Sequence, residues 1–196
     1  MSAIVKLADN SSVYEVAKVS PLSIATQLSK KFDNQVYLKR EDDQIIHSFK
    51  LRGAYQKMSS MSDEQKAKGV IASSAGNHAQ GVALGASKLS IKATIVMPTS
   101  TPQIKVRAVQ ELGAEVILYG DVYDDAFVHA KKLVSEKDLC FISPYDDFEV
   151  IAGQATVAKE ILAQLDQIDY VFSPVGGGGL ISGMASYIKH YAPHIK

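Results

Sequence analysis

Cysteine is nearly missing from this 196-residue chain: Cys140 stands alone, so no internal disulfide can form and no cysteine cluster can hold zinc. Net charge is missing too. Lys plus Arg number 21 and Asp plus Glu number 21, which leaves no long-range field to hold a polyanion and argues against nucleic-acid binding. No apolar run approaches the ~18 residues of a membrane span. The first residues carry neither an apolar signal core nor an Arg-rich amphipathic stretch. The expectation is a reducing, cytoplasmic protein with no membrane contact and a short, mobile N-terminus. Three signatures of other chemistries are absent as well. There is no G-x-S-x-G nucleophile elbow and no GxxxxGKS/T phosphate loop. A dinucleotide fingerprint fails on spacing: from Gly176-x-Gly178 the third small residue falls on Ile181, and from Gly177-x-Gly179 it falls on Ser182. His190 and His194 lie four apart, but Pro193 breaks the helix between them, so no metal site is expected.

What is present is an alternation of helical and extended segments. Strands are expected at 36–38, 70–72, 93–97, 115–118, 139–142 and 170–172, mostly as continuous apolar runs. Such runs suit a parallel sheet covered by helices on both faces. Helices are expected at 77–89, 102–112, 123–136, 150–165 and 180–191. Ser20-Pro21 reads as an N-cap with proline at the first helical position, opening a helix to about Phe32. Ser62 with Gln65 forms a capping box for a small helix leading to Gly69. The fold class is therefore α/β with a mainly parallel sheet. After residue 191 the alternation calls for another strand, so the sheet is expected to be incomplete.

Three segments are richer in glycine, small polar residues and charge than a core needs. In KREDDQIIHSFKLRGAY (39–55), Lys50 lies between Phe49 and Leu51. Taken alone it reads as a solvated surface lysine, but among apolar neighbours its ammonium is disfavoured and it becomes a usable nucleophile or base, able to form a Schiff base with an aldehyde. SSAGNHAQG (73–81) follows a strand and opens a helix, where backbone N–H groups can receive a carboxylate or phosphate. The plainer reading is an ordinary tight turn. VGGGGLISG (175–183) again sits between strand and helix, where four glycines can present several N–H groups to one phosphate. Its rival reading is a flexible linker. Cys140 lies in a strand and reads as core.

Together SFKLRGA (48–54), SAGNHAQG (74–81) and VGGGGL (175–180) resemble the fold-type II pyridoxal-phosphate enzymes, and among them most closely the biosynthetic threonine ammonia-lyases (threonine dehydratases). The similarity runs from about Val13 to Lys196 and includes KRED (39–42) and VIAGQ (150–154). The resemblance implies that Lys50 bonds covalently to pyridoxal 5'-phosphate, that Phe49 packs near the pyridine ring and that Asn77 hydrogen-bonds the phenolic oxygen. It further implies that Gly176, Gly177, Gly178, Gly179 and Leu180 hold the phosphate, and that Ser74, Gly76, Asn77 and His78 form the substrate-carboxylate loop. The implied reaction dehydrates and deaminates L-threonine to 2-oxobutanoate and ammonia, and L-serine to pyruvate, with Lys50 removing the Cα proton.

Serine racemases share the fold but need a second base, and the matching position is Ala75, so racemisation is not expected. Where the family usually has glycine, this chain has Ala155. The resemblance also implies two lobes, 54–153 forming the smaller and 1–53 with 154–196 a truncated larger one, and a homo-oligomer in the full-length protein. The readings that compete are an inactive fragment retaining the fold, a serine-preferring dehydratase and, more remotely, a nucleotide-binding oxidoreductase. An aldehyde-cofactor absorbance separates the first reading from an inactive fragment.

Overall fold

Val70, Ala72, Ile95 and Met97 pack into one apolar cluster while Ile71 and Val96, between them in sequence, pack into another. Both faces of these strands are covered, which is why they read as unbroken apolar runs. The computed structural model describes residues 3–196. The chain begins with α1 (Ala3–Asp9), β1 (Leu22–Ile24), α2 (Thr26–Phe32) and β2 (Tyr37–Lys39). It continues with α3 (Lys50–Ser59), α4 (Asp63–Lys68), β3 (Val70–Ser73), α5 (Asn77–Lys88), β4 (Ala93–Met97) and α6 (Gln103–Glu111). β5 (Glu115–Leu118), α7 (Tyr123–Lys137), β6 (Cys140–Phe141), α8 (Phe148–Gln164) and α9 (Gly179–Tyr191) complete it.

β3 to β6 form a four-stranded sheet in the order β5-β4-β3-β6, every pair parallel. α5 and α6 cover one face and α7 the other. The chain runs from β3 outward to β5 and then returns across the sheet to place β6 on the far side of β3. That reversal creates a crevice beyond the carboxyl ends of β3 and β6, the place where open α/β sheets bind ligands. β1 and β2 pair antiparallel as a separate ribbon.

α3 delivers Lys50 to this crevice. It is wedged between α5 and α8 at backbone distance: a Cβ built on Gly81 of α5 would lie 3.0 Å from the Lys50 carbonyl, and one on Gly153 of α8 would lie 2.6 Å from the Arg52 carbonyl. Residues 50–59 carry no element in the sequence expectation, although Leu51, Ala54, Tyr55 and Met58 recur at helical spacing and are all buried. The helix-weakening Gly53 masks that period.

Four other differences have local causes. A short loose N-terminal tail is expected, and from Ala3 onward the chain instead forms α1, with Val5 and Ala8 buried against α8 and α9; residues 1 and 2 lie outside the described residues. Ser20-Pro21 does not open a helix, because the Ser20 hydroxyl donates to Glu41 Oε1 at 2.6 Å and Pro21 O accepts from Arg40 N at 2.9 Å. The chain is thereby held extended into β1, and α2 starts only at Thr26. Residues 170–172 form no strand, since their ladder amounts to Val171 N to Lys196 O and Lys196 N to Asp169 O. α8 starts two residues earlier than expected because Asp147 caps it, accepting from Glu149 N and Val150 N. The Ser62–Gln65 capping box forms as expected. Ala155 sits in mid-α8 with ordinary helical backbone, so no glycine is required there.

Candidate active site

Lys50 is the first residue of α3 and is half-buried. Its Nζ donates to Pro144 O at 2.6 Å and lies 5.6 Å from the Phe49 ring centre. Burial lowers its pKa, with no carboxylate to oppose the shift, which raises the share of free amine.

The turn after β3 is built from small residues. Gly76 N donates to Ser74 Oγ at 3.2 Å, and Gly76 is the N-cap of α5. Asn77 is exposed, and its carboxamide makes no hydrogen bond among the described residues. His78 behaves differently from its neighbours. It is 4% exposed, and Nε2 lies 3.0 Å from Ile142 O at the end of β6. Burial pushes its pKa down to about 4, only partly offset by the Ile142 hydrogen bond and reinforced by the Lys50 charge. The imidazole is therefore neutral at pH 7, donates from Nε2 and ties α5 to β6.

This histidine makes a testable contribution to stability. The folded state binds the proton less readily than the unfolded chain, whose histidine titrates near 6.5, so the contribution is complete above pH 6.5 and is lost as pH falls towards 4. Wild type is expected to lose about 2 kcal/mol between pH 7 and pH 5 through this group, and His78→Asn to lack that component. Urea midpoints at the two pH values measure it; equal pH slopes for the two proteins would refute it.

The glycine loop ends at α9. Gly178 is its N-cap with φ +90°, a left-handed conformation that suits glycine. A Cβ on Gly176 would meet nothing within 4 Å, whereas one on Gly177 would overlap the Tyr145 ring. The first turn of α9 leaves N–H groups without helical acceptors, facing the same end of the helix. Leu180 and Phe49 pack against one apolar cluster, which links the loop to the neighbour of Lys50.

The segment after β6 is the hub. Ile142 O meets His78, Pro144 O meets Lys50, and Tyr145 covers Gly177 while its Cα and O approach the Cβ position of Gly179 to 2.9 Å. Lys50, His78, Gly177 and Gly179 are thus brought together by the segment after β6, Ser74 and Gly76 lie in the turn at the carboxyl end of β3, and no hydrogen bond among the described residues joins Asn77 or Gly176 to the others. Pro144 and Tyr145 are absent from the sequence expectation; their signal is Ser143-Pro144-Tyr145-Asp146-Asp147, a strand-to-helix loop at the point where strand order reverses.

α3, α5 and α9 all begin here, directing their positive ends and free N–H groups to one region. A hindered lysine amine beside such an anion cradle fits a cofactor that combines an aldehyde with a phosphate. The open face at Gly176 is room that a side chain would fill. Among the described residues no group of His, Cys, Asp and Glu could hold a metal.

Comparison with known proteins agrees with this chemistry. Residues 14–196 match the family described as pyridoxal-phosphate dependent enzyme. The chain is 55% identical over 196 residues to the Haemophilus influenzae protein named L-threonine dehydratase biosynthetic IlvA, covering 100% of this chain and 38% of that one. It is 56% identical over 185 residues to the Arabidopsis thaliana protein named threonine dehydratase biosynthetic, chloroplastic, covering 94% and 31%. The solved structure of the processed form of threonine deaminase isoform 2 from Solanum lycopersicum superimposes with a TM-score of 0.97 at 52% identity, covering 98% of this chain and 53% of that one. Maize serine racemase superimposes with a TM-score of 0.94 at 33% identity, covering 98% and 58%. The chain spans about a third of the length of these curated relatives. The α/β architecture with a parallel sheet is that of the fold-type II enzymes. Matched to the family model from residue 14 to residue 196, the chain belongs to the pyridoxal-phosphate dependent enzymes.

Proposed function

We propose that the protein of which this chain forms part converts L-threonine to 2-oxobutanoate and ammonia, in isoleucine biosynthesis, with L-serine as a slower substrate giving pyruvate. The observation that carries the reading is the placement of Lys50 Nζ 2.6 Å from Pro144 O, one residue from the ring that lies on the glycine loop. The names of the relatives at 55% and 56% identity support threonine over serine.

Bound at this site, pyridoxal phosphate supplies an electron sink for the charge that develops at the substrate Cα. The chain supplies the rest. Gly176, Gly177, Gly178, Gly179 and Leu180 hold the phosphate through backbone N–H groups at the start of α9. The free carboxamide of Asn77 binds the phenolic oxygen, and Phe49 packs near the ring. Ser74 and Gly76, with the first turn of α5, bind the substrate carboxylate. Lys50 moves the proton at Cα, a role suited to an amine whose basicity burial reduces. His78 acts one step back, fixing α5 against β6.

In this reading the substrate lies between a smaller lobe, 54–153, and a larger one made of 1–53 and 154–196, whose closure excludes water. A reducing cytoplasmic setting suits the unpaired Cys140. No helix among the described residues is long and apolar enough to cross a membrane. A homo-oligomer of the full-length protein completes the proposal.

The test is keto-acid formation by the cofactor-loaded protein from L-threonine and from L-serine, measured at equal concentrations. Faster 2-oxobutanoate than pyruvate formation is expected. Faster pyruvate formation would overturn the threonine assignment, and no keto acid from either would overturn the activity.

A further inference from the structure

We propose that Tyr145 is a positioning residue that holds the glycine loop in its phosphate-receptive shape, and that glycine is required at 177 because of this ring. The inference rests on the proposed function and extends it to a residue that the motifs do not include.

Three observations carry it. The Tyr145 ring lies so close to Gly177 that a Cβ there would overlap it, and Tyr145 Cα and O bracket Gly179 at 2.9 Å from its Cβ position. The loop has little else to restrain it: residues 174–177 are exposed, and the Cβ direction of Gly176 is empty. Tyr145 itself is 41% exposed and belongs to none of the apolar clusters, so its ring contributes little to the core.

A glycine run loses more backbone freedom on ordering than any other sequence. A loop already pressed into shape by an aromatic ring binds an anion without that entropic cost. Tyr145 is also bonded in sequence to Pro144, whose carbonyl receives Lys50. One dipeptide therefore sets the spacing between the lysine and the phosphate cradle. The lysine contact is made by backbone, so replacing the Tyr145 side chain leaves it in place.

That separation defines the test. Binding of pyridoxal phosphate and of pyridoxal, which lacks the phosphate, is titrated by absorbance, with borohydride trapping, on wild type, Tyr145→Phe, Tyr145→Ala, Gly177→Ala and the Tyr145→Ala/Gly177→Ala pair. Tyr145→Ala is expected to weaken pyridoxal phosphate about tenfold, the scale of the loop-ordering cost, and to leave pyridoxal unchanged. Tyr145→Phe is expected to match wild type, because the ring and not the hydroxyl makes the contact. Gly177→Ala is expected to weaken pyridoxal phosphate more in the wild-type background than beside Tyr145→Ala, where the obstructing ring is gone.

Equal affinity of wild type and Tyr145→Ala for pyridoxal phosphate would overturn the inference while leaving the proposed function standing. Equal loss of both ligands would also overturn it, by locating the defect at Lys50. Failure of wild type to bind either ligand would overturn the proposed function and this inference with it. Thermal melts of the Tyr145 variants, expected to match wild type because the ring lies outside the core, confirm that their titrations compare folded proteins, and a melt of Gly177→Ala checks that it too is folded at the titration temperature.

Discussion

Lys50→Ala is expected to lose the borohydride-trapped cofactor entirely and to lower turnover at least ~1,000-fold, the scale set by removing a nucleophile that also serves as the base. The amines of Lys39 and Lys57 are engaged elsewhere. Lys39 Nζ is held by Glu160 Oε2 at 2.6 Å and by Ser20 O at 2.7 Å, and Lys57 is paired with Asp147 at 2.7 Å. The fold is expected to survive, because α3 packs through Leu51, Ala54, Tyr55 and Met58 and not through the lysine. The lost bond to Pro144 O costs about 1 kcal/mol. Lys50→Arg sharpens the result: it keeps the charge and the Pro144 contact but offers no free amine at neutral pH. Absorbance spectra with and without borohydride, alongside a keto-acid assay, give the readout. Wild-type turnover by Lys50→Ala would refute the assignment.

Arg52→Met is expected to destabilise the protein by about 3–5 kcal/mol, the range for breaking a buried ion pair from one side. Arg52 is fully buried, donating to Glu41 Oε1 at 2.7 Å and Oε2 at 2.8 Å and to Glu160 Oε1 at 2.6 Å. Burial pushes the Glu160 carboxyl up, but its bonds and charge interactions with Arg52 and Lys39 outweigh burial and leave its pKa below the ordinary value. Without the guanidinium, Glu41 and the buried Glu160 face each other with only Lys39 to compensate. Because the folded pKa of Glu160 is depressed, its contribution is present above the usual carboxylate range and disappears as pH falls through the folded value. Arg52→Met is expected to show its deficit at pH 7 and a smaller one at acid pH. Urea unfolding at both pH values provides the check, and a deficit under 1 kcal/mol at pH 7 would contradict it.

Much of this protein is legible in its sequence, for reasons particular to each element. The strands at 93–97 and 115–118 are found at their full extent because apolar runs bounded by turns leave little choice. The Asn77 turn is legible because small residues between β3 and α5 have a backbone purpose, and the glycine loop because it opens α9, although the strand expected before it does not form. The Arg52 cluster is not legible as such. Its members come from 20, 39, 41, 52 and 160, and charge pairs at those separations leave no local pattern. The same cluster misleads at Ser20, whose hydroxyl goes to Glu41 instead of capping a helix. Tyr145 escapes notice because Ser143–Asp147 signals a strand-to-helix loop but not which of its residues the glycine loop, 32 residues further along the chain, folds against.

The wedging of α3 has a mechanical consequence. A helix that touches both flanking helices through backbone atoms cannot slide along its axis by one residue, about 1.5 Å, without driving Gly81 and Gly153 into new collisions. α3 is therefore held in register against α5 at Gly81 and against the first turns of α8 at Gly153, and the lysine inherits that restraint. Hydrogen exchange is therefore expected to be slow along the buried start of α3, behind Lys50, and faster in the exposed glycine loop at 174–177.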